Sequence, residues 1–159
     1  DRRRGRCPPS LMIDTLTLKP VTKNRLVFGD VFKVGSLKKN HCILIADRNP
    51  NVREFLKREL TAEGYRIRIA GSCAEVIRSA YANNLIDVII LDPDLPGDTD
   101  ATLIKRLRSR VPAIPLIIHA LNQDMASDAL PAGKEIFVEK QANSIEQLKK
   151  IVNTIIHPL

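Results

Sequence analysis

The sequence predicts a doubly wound α/β domain built on a five-stranded parallel sheet, a (βα)5 arrangement. From His41 onward, short apolar runs alternate five times with longer amphipathic segments, which is the pattern of repeated strand–helix units. The run from Val88 to Leu91 ends abruptly on carboxylates and turn residues. A strand buried on both faces has this composition, and the carboxyl end of a parallel sheet is where such folds place their chemistry. Asp92, which follows the run, is therefore the main candidate for a functional residue.

The five predicted strands differ in their patterning. The second alternates Tyr65, Ile67 and Ile69 with two arginines, so one of its faces is wet and we expect it at an edge of the sheet. The first, third and fourth runs are apolar throughout, as in strands covered by helices on both faces. The predicted strands are Cys42–Ala46, Tyr65–Ile69, Val88–Leu91, Pro115–His119 and Glu135–Lys140.

Capping residues locate the helices between these strands. Asn49-Pro50 supplies an N-cap and a first-turn proline, and Gly64 ends that helix. Ser72 and Ser144 are predicted to cap the second and last helices. The segment from Asn122 to Pro131 has few apolar residues, so we expect a short, mobile fourth helix. The second helix is predicted to run to about Asn84, and the third from about Thr99 to Arg110.

An edge second strand and apolar first, third and fourth strands favour the flavodoxin-like strand order 2-1-3-4-5. In this order a crevice opens between the first and third strands, at the point where the winding of the sheet reverses. Asp47 follows the first strand and Asp92 follows the third. We therefore expect these two carboxylates to share the crevice.

The net charge of +7 resides in the N-terminal part of the sequence. Residues 1–40 hold ten Lys or Arg and three Asp, whereas residues 41–159 hold fifteen side chains of each sign. We interpret residues 1–40 as a basic, flexible extension in which Leu26–Phe32 could form a hairpin, and residues 41–159 as the folded domain. Because that domain is neutral, nucleic acid is not expected among its partners.

The cysteines and the apolar runs bear on location. Cys7, Cys42 and Cys73 are odd in number and lack the spacing of a paired motif, which favours a reducing compartment. No apolar run reaches the roughly 18 residues of a membrane span. We therefore expect a cytoplasmic protein with no membrane contact.

Three motifs carry a family resemblance over about residues 42–156. They are Ile43-Leu-Ile-Ala-Asp47, Val88-Ile-Ile-Leu-Asp92-Pro-Asp94-Leu-Pro96-Gly97 and Phe137-Val-Glu-Lys140, in this order on the predicted strands. Together they resemble the receiver domain of two-component response regulators, of the chemotaxis-regulator type. The resemblance implies a non-enzymatic phosphoprotein of phosphorelay signal transduction. A sensor histidine kinase or phosphotransfer protein would donate a phosphoryl group to an aspartate with the help of Mg²⁺, and the domain would signal through protein contacts, with a homodimer as a candidate assembly.

The resemblance assigns roles to five residues of this sequence. Asp92 resembles the phosphoacceptor, and Asp47 the first of an acidic pair that helps hold the metal ion. Asp94 stands where the family uses a backbone carbonyl as a metal ligand. Lys140 resembles the switch lysine, and Phe137 occupies the position of the switch aromatic residue.

The sequence departs from the family pattern at three positions. Arg48 replaces the second acidic residue, Ala120 replaces a Ser or Thr, and Gln141 replaces a proline. Exchanging a carboxylate for a cation should weaken or abolish Mg²⁺ binding. Arg48 either substitutes for part of the metal's charge or clamps Asp92 in an ion pair. The second case would make the domain a phosphorylation-independent pseudo-receiver that acts by binding alone.

Other interpretations of these residues fit the sequence less well. The sequence Asp92-Pro-Asp94 is also similar to the nucleophile motif of haloacid-dehalogenase-like phosphatases, but it lies on the third strand rather than the first. A flavin-binding flavodoxin would need a hydroxyl-rich phosphate loop, which the residues after Asp47 lack. His119 is interpreted as packed or hydrogen-bonded rather than catalytic. The remaining polar candidates, Asp98 and Asp100 at a helix start and His41 and His157 without ligand spacing, are not interpreted as metal ligands.

Overall fold

The computed structural model describes residues 40–82, 85–97, 100–122 and 135–159. Within these ranges it contains five strands and four helices. In chain order they are β1 (Cys42–Ala46), α1 (Pro50–Ala62), β2 (Arg66–Ala70), α2 (Cys73–Tyr81), β3 (Val88–Leu91), α3 (Asp100–Arg108), β4 (Leu116–Ala120), β5 (Ile136–Glu139) and α4 (Ser144–Ile156).

The strands form one parallel sheet in the order β2-β1-β3-β4-β5, which confirms the predicted order. In the centre of the sheet, Ala46 of β1 pairs with Ala70 of β2 on one side and with Leu91 of β3 on the other. Ala120 lies inside β4, one residue beyond the predicted end, because it pairs with Glu139 of β5. The residues that follow β1, β3 and β5 therefore emerge at the same edge of the sheet.

Two hydrophobic cores cover the two faces of the sheet. Alternate residues of β1 illustrate this division, since Leu44 faces the core formed with α2 and α3 whereas Ile43 and Ile45 face the core formed with α1 and α4. Burial on both faces explains why β1 and β3 are apolar throughout and why His119 is the one polar residue of β4. The arginines at positions 66 and 68 of β2 are exposed, as predicted for an edge strand.

The predicted start and end of α1 and the predicted start of α2 are confirmed. The side chain of Asn49 accepts a hydrogen bond from the amide of Asn51 at 2.9 Å, and Ser72 caps α2 in the same way. Gly64 follows α1 with a φ of 96°, a conformation that glycine adopts without strain. The predicted cap at Ser144 was wrong, because Asn143 precedes the first helical residue and its side chain makes no capping bond. Ser144 is the first residue of α4 instead.

Some predictions are shortened or fall outside the described residues. Helix α2 ends at Tyr81 rather than near position 84, and α3 ends at Arg108 rather than Arg110. The described ranges exclude the predicted hairpin at 26–32, Asp98, and all but the first residue of the helix predicted from Asn122 to Pro131. The division between an extension at 1–40 and a domain at 41–159 stays a prediction.

Gly97 allows a tight approach between the loop after β3 and the start of α2. Its φ is +126°, and a Cβ built there would lie 3.1 Å from the Cβ of Cys73. The amide of Cys73 also donates a hydrogen bond to the carbonyl of Pro96 at 3.0 Å, which holds the two segments together. The positive φ and the close contact both disfavour any side chain at this position.

We predict that Gly97→Ala lowers the free energy of unfolding by about 1–3 kcal/mol, because alanine is strained at this φ and its methyl group crowds Cys73. Urea denaturation of the two proteins measures the difference. Gly71→Ala is the comparison, since Gly71 lacks a positive φ and the atoms nearest to a Cβ there are side-chain atoms of Arg53, at 3.1–3.5 Å. A loss for Gly97→Ala no larger than that for Gly71→Ala would contradict the prediction.

Candidate functional site

Two aspartates lie side by side where β1 and β3 end. Asp47 directly follows β1 and Asp92 directly follows β3, and each is only 2% exposed. The sheet fixes their backbones, because the amide of Asp92 donates to the carbonyl of Ala46 at 2.7 Å and the amide of Asp47 to that of Ala70 at 3.2 Å. The predicted crevice with two carboxylates is therefore present.

Lys140 lies between these carboxylates. Its Nζ is 2.8 Å from Oδ2 of Asp47 and 3.1 Å from Oδ2 of Asp92, and its side chain is 17% exposed. Oδ2 of Asp47 lacks a hydrogen bond of good geometry in the described part of the chain, so the contact with Lys140 is best described as an ion pair. The amide of Lys140 donates to the carbonyl of Ala120 at 2.7 Å, which extends the pairing of β4 with β5 up to the site. The ammonium offsets the repulsion between two buried anions.

Burial raises the pKa of Asp47 above its ordinary value, and the negative charge of Asp92 acts in the same direction. The Lys140 ammonium and the backbone N–H of Asn49 oppose this rise in pKa. The amide of Asn49 donates to Oδ1 of Asp47 at 2.8 Å. Asp47 thus depends on its neighbours to carry a charge in the interior.

Arg48 lies at the rim of the site, next to the second aspartate. Its Nε is 3.9 Å from Oδ2 of Asp92, and one of its terminal nitrogens is 3.2 Å from Oδ2 of Asp94. Its side chain is 53% exposed, whereas that of Lys140 is 17% exposed. The amide of Asp94 donates to Oδ1 of Asp92 at 3.1 Å, and the amide of Arg48 makes a longer bond, 3.4 Å, to Oδ2. Asp92 is therefore surrounded by donors and cations.

Arg53, which no sequence motif indicated, fixes the loop between β1 and α1. Its Nη1 donates to the backbone carbonyl of Asp47 at 2.6 Å and to that of Arg48 at 3.2 Å. Arg53 lies in the first turn of α1, on the side that faces this loop. An arginine one helical turn after a site loop is a weak signal in a sequence, because most such arginines extend into solvent.

The remaining predicted positions lie around the two aspartates. Ala120 ends β4 and is buried, so the position has no hydroxyl to donate. Phe137 is partly buried against the core formed with α2 and α3 rather than against the carboxylates. His119 is hydrogen-bonded, as predicted, with its Nε2 at 3.2 Å from Oγ of Ser144. Gln141 pairs with Glu139 at 2.6 Å.

The family pattern implies a Mg²⁺ ion beside the two aspartates, and the residues around them can be compared with the ligands that this ion requires. Mg²⁺ prefers carboxylate and carbonyl oxygens in octahedral geometry. Asp47 and Asp92 supply such oxygens, but the Lys140 ammonium pairs with both, and the Arg48 guanidinium adds a second positive charge 3.9 Å from Asp92. The described ranges contain no group of three or more His, Cys, Asp or Glu side chains that could hold a metal ion. The two aspartates, with Lys140 and Arg48 beside them, therefore do not form a site that fits a divalent cation.

The family follows from comparison with known proteins. Residues 43–153 match the sequence profile of the family described as "Response regulator receiver domain". The chain belongs to this family. Receiver domains are signalling modules of two-component response regulators, and the matched region contains β1 through most of α4 together with all the site residues above.

The chain is similar to part of each of two curated response regulators. The chain is 28% identical over 118 residues to the transcriptional regulatory protein AruR of Pseudomonas aeruginosa, covering 71% of this chain and 48% of the relative. It is 34% identical over 112 residues to the response regulator GtcR of Aneurinibacillus migulanus, covering 69% and 45%. The chain thus spans about half the length of the curated relatives it matches.

Solved structures agree with the fold. The response regulator TrrA of Thermotoga maritima, determined with Mg²⁺ and beryllofluoride, has a TM-score of 0.65 and 31% identity, covering 72% of this chain and 98% of that one. The chemotaxis response regulator CheY4 of Vibrio cholerae has a TM-score of 0.61 at 20% identity, covering 72% and 98%. The second likeness supports the fold alone.

Among the described residues, no helix is long and apolar enough to cross a membrane.

Proposed function

We propose that this receiver domain accepts a phosphoryl group on Asp92 from a sensor histidine kinase or a phosphotransfer protein. The observation that supports this most directly is the position of Asp92, a buried carboxylate at the crevice whose Oδ2 lies 3.1 Å from the Lys140 ammonium. A carboxylate held in this way is oriented as a nucleophile, and a cation is already in place for the charge that arrives.

The proposed step is an in-line transfer. A carboxylate oxygen of Asp92 forms a bond to phosphorus as the bond from phosphorus to the donor nitrogen breaks, and the histidine keeps the electron pair. The amide of Asp94 holds Oδ1 in place throughout. Lys140 pairs with the phosphoryl oxygens, which lessens the cost of placing more negative charge next to Asp47.

The proposed output follows from the same lysine. A phosphoryl group on Asp92 would draw the ammonium away from Asp47, and Lys140 is the residue directly after β5. Phe137 lies in that strand, three residues earlier. We therefore place the signalling surface around β5 and its neighbouring helices, where a protein partner or a second copy of the chain would bind one of two states.

A second candidate function is a phosphorylation-independent pseudo-receiver. It is favoured by the two cations on Asp92, because Lys140 and Arg48 together stabilise the unmodified carboxylate. The missing hydroxyl at Ala120 points in the same direction. In this reading the domain acts by binding a partner in a single state. For either function we propose a cytoplasmic setting, in keeping with the buried side chains of Cys42 and Cys73, which are not joined in a disulfide.

Intact-protein mass spectrometry after incubation with acetyl phosphate tests the proposal. With and without Mg²⁺, we expect wild-type protein to gain about 80 Da under at least one condition, and Asp92→Asn to gain nothing. Asp87→Asn is the control, since Asp87 lies before β3, at the opposite end of the sheet, and pairs with His41. An adduct that persists in Asp92→Asn would refute the assignment of Asp92. No adduct under either condition, with spectra unchanged by beryllofluoride, would favour the pseudo-receiver.

A further inference from the structure

The charge balance of the site differs from that of a metal-binding site. Three carboxylates, those of Asp47, Asp92 and Asp94, face two cations, Lys140 and Arg48. The partly buried Lys140 is shared between two of these carboxylates. A phosphoryl group on Asp92 adds further negative charge, so a single shared ammonium leaves the transfer under-neutralised. A second cation is therefore needed beside Asp92.

Arg48 has the position of that second cation. Its guanidinium reaches both Asp92 and Asp94, at 3.9 and 3.2 Å, from the exposed side of the crevice. This is the open side, from which a phosphoryl donor must approach, because the other sides of Asp92 are occupied by the sheet and by Lys140. A guanidinium also presents a planar pair of donors that matches two phosphoryl oxygens.

The backbone that carries Arg48 is held from both sides. Arg53 donates to the carbonyls of Asp47 and Arg48, and the amide of Arg48 points at Asp92. Asn49 begins α1 immediately afterwards with a side-chain cap. The loop is thus fixed while the side chain of Arg48 remains half-exposed and can shift from Asp94 to an incoming group. This combination suits a positioned, adjustable counter-cation.

We propose that Arg48 is the built-in cation of phosphoryl transfer, so that Asp92 is phosphorylated without a divalent metal ion. The inference rests on the proposed function. With acetyl phosphate, an Asp92 oxygen bonds to phosphorus, the bond from phosphorus to the acetyl oxygen breaks, and acetate leaves with the electron pair. No proton transfer is required. Arg48 and Lys140 offset the negative charge on the transferring group.

The test compares rates of adduct formation in EDTA and in millimolar Mg²⁺, followed by intact mass. Wild-type protein is expected to react at similar rates in both. Arg48→Ala is expected to lose about 100-fold in EDTA, the scale of removing a group that stabilises transition-state charge. Arg48→Asp is expected to react only with Mg²⁺, because a carboxylate restores a ligand for the metal. Lys150→Asp, which makes the same charge change on the exposed face of α4, is expected to behave as wild type.

A binding measurement supplies a readout that does not depend on turnover. Backbone amide chemical shifts near Asp92 should not respond to Mg²⁺ in wild-type protein and should titrate to saturation in Arg48→Asp. A wild-type adduct that forms only with Mg²⁺, or an Arg48→Ala variant as fast as wild type in EDTA, would overturn the role of Arg48 and leave phosphorylation of Asp92 standing. No wild-type adduct under any condition would instead refute the proposed function and the inference with it.

Discussion

Replacing Lys140 by Met is expected to lower the free energy of unfolding by about 3 kcal/mol at neutral pH, because two buried carboxylates lose their shared counter-ion. Asp47 and Asp92 are each 2% exposed, so water cannot replace the ammonium without disrupting the crevice. Methionine has a similar length and keeps the packing of the lysine stem. The same substitution should also abolish stable phosphorylation of Asp92.

Urea denaturation at neutral pH measures this effect. The double variant Lys140→Met/Asp47→Asn should recover much of the lost stability, because only one buried charge remains. Lys149→Met is the control, since Lys149 pairs with Glu59 and Glu63 between α1 and α4, where the carboxylates stay hydrated. If the loss for Lys140→Met were no greater than that for Lys149→Met, the buried triad would not hold the crevice together.

The pH dependence of this variant has a defined sign. The pKa of Asp47 is raised in the folded protein, chiefly by burial, so the folded state binds this proton more tightly than the unfolded state does. The contribution of Asp47 to the free energy of unfolding therefore rises as the pH falls from above its pKa in the folded protein to its pKa in the unfolded chain. Lys140 lowers this pKa, so removing Lys140 should raise it further and widen the interval between the pKa values of Asp47 in the folded and unfolded states. Lys140→Met should therefore gain more stability on acidification than wild type.

His119 is expected to produce the opposite dependence. It is 4% exposed, and burial lowers its pKa to about 4, with a smaller contribution from Lys140. Its Nδ1 is buried without a hydrogen-bond partner in the described part of the chain, so protonation gains no acceptor there. The unfolded chain takes up this proton near pH 6.5, whereas the folded protein resists it. Stability contributed by neutral His119 is thus complete above pH 6.5 and is lost as the pH falls towards 4, by up to about 3 kcal/mol.

Denaturation curves at intervals between pH 7 and pH 4 test this prediction. His119→Gln keeps a polar side chain beside Ser144 but does not titrate, so its stability should fall less steeply than that of wild type over this range. His157→Gln is the control, because His157 lies against His41 after the end of α4, away from the crevice. Parallel curves for wild type and His119→Gln would show that His119 is readily protonated in the folded state.

The architecture and the positions of the main site residues follow from local patterns in the sequence. Apolar runs at β1, β3 and β4, the last interrupted only by His119, indicated strands buried on both faces, and the arginines of β2 indicated an edge. Asp47, Asp92 and Lys140 could be placed at one end of the sheet because the carboxyl ends of parallel strands coincide. These inferences depend only on local periodicity and strand order, which a sequence records directly.

The hydrogen-bond and ion-pair partners of these residues depend on the tertiary structure. Ser144 looked like a helix cap but bonds His119, a residue 25 positions away. Arg53 was not among the residues that the sequence singled out, yet it holds the loop that carries Arg48. Arg48 itself extends to Asp94 as well as to Asp92, which its position beside Asp47 did not indicate. Hydroxyl, imidazole and guanidinium groups each have several satisfactory partners, and the choice depends on three-dimensional distances that no local pattern encodes.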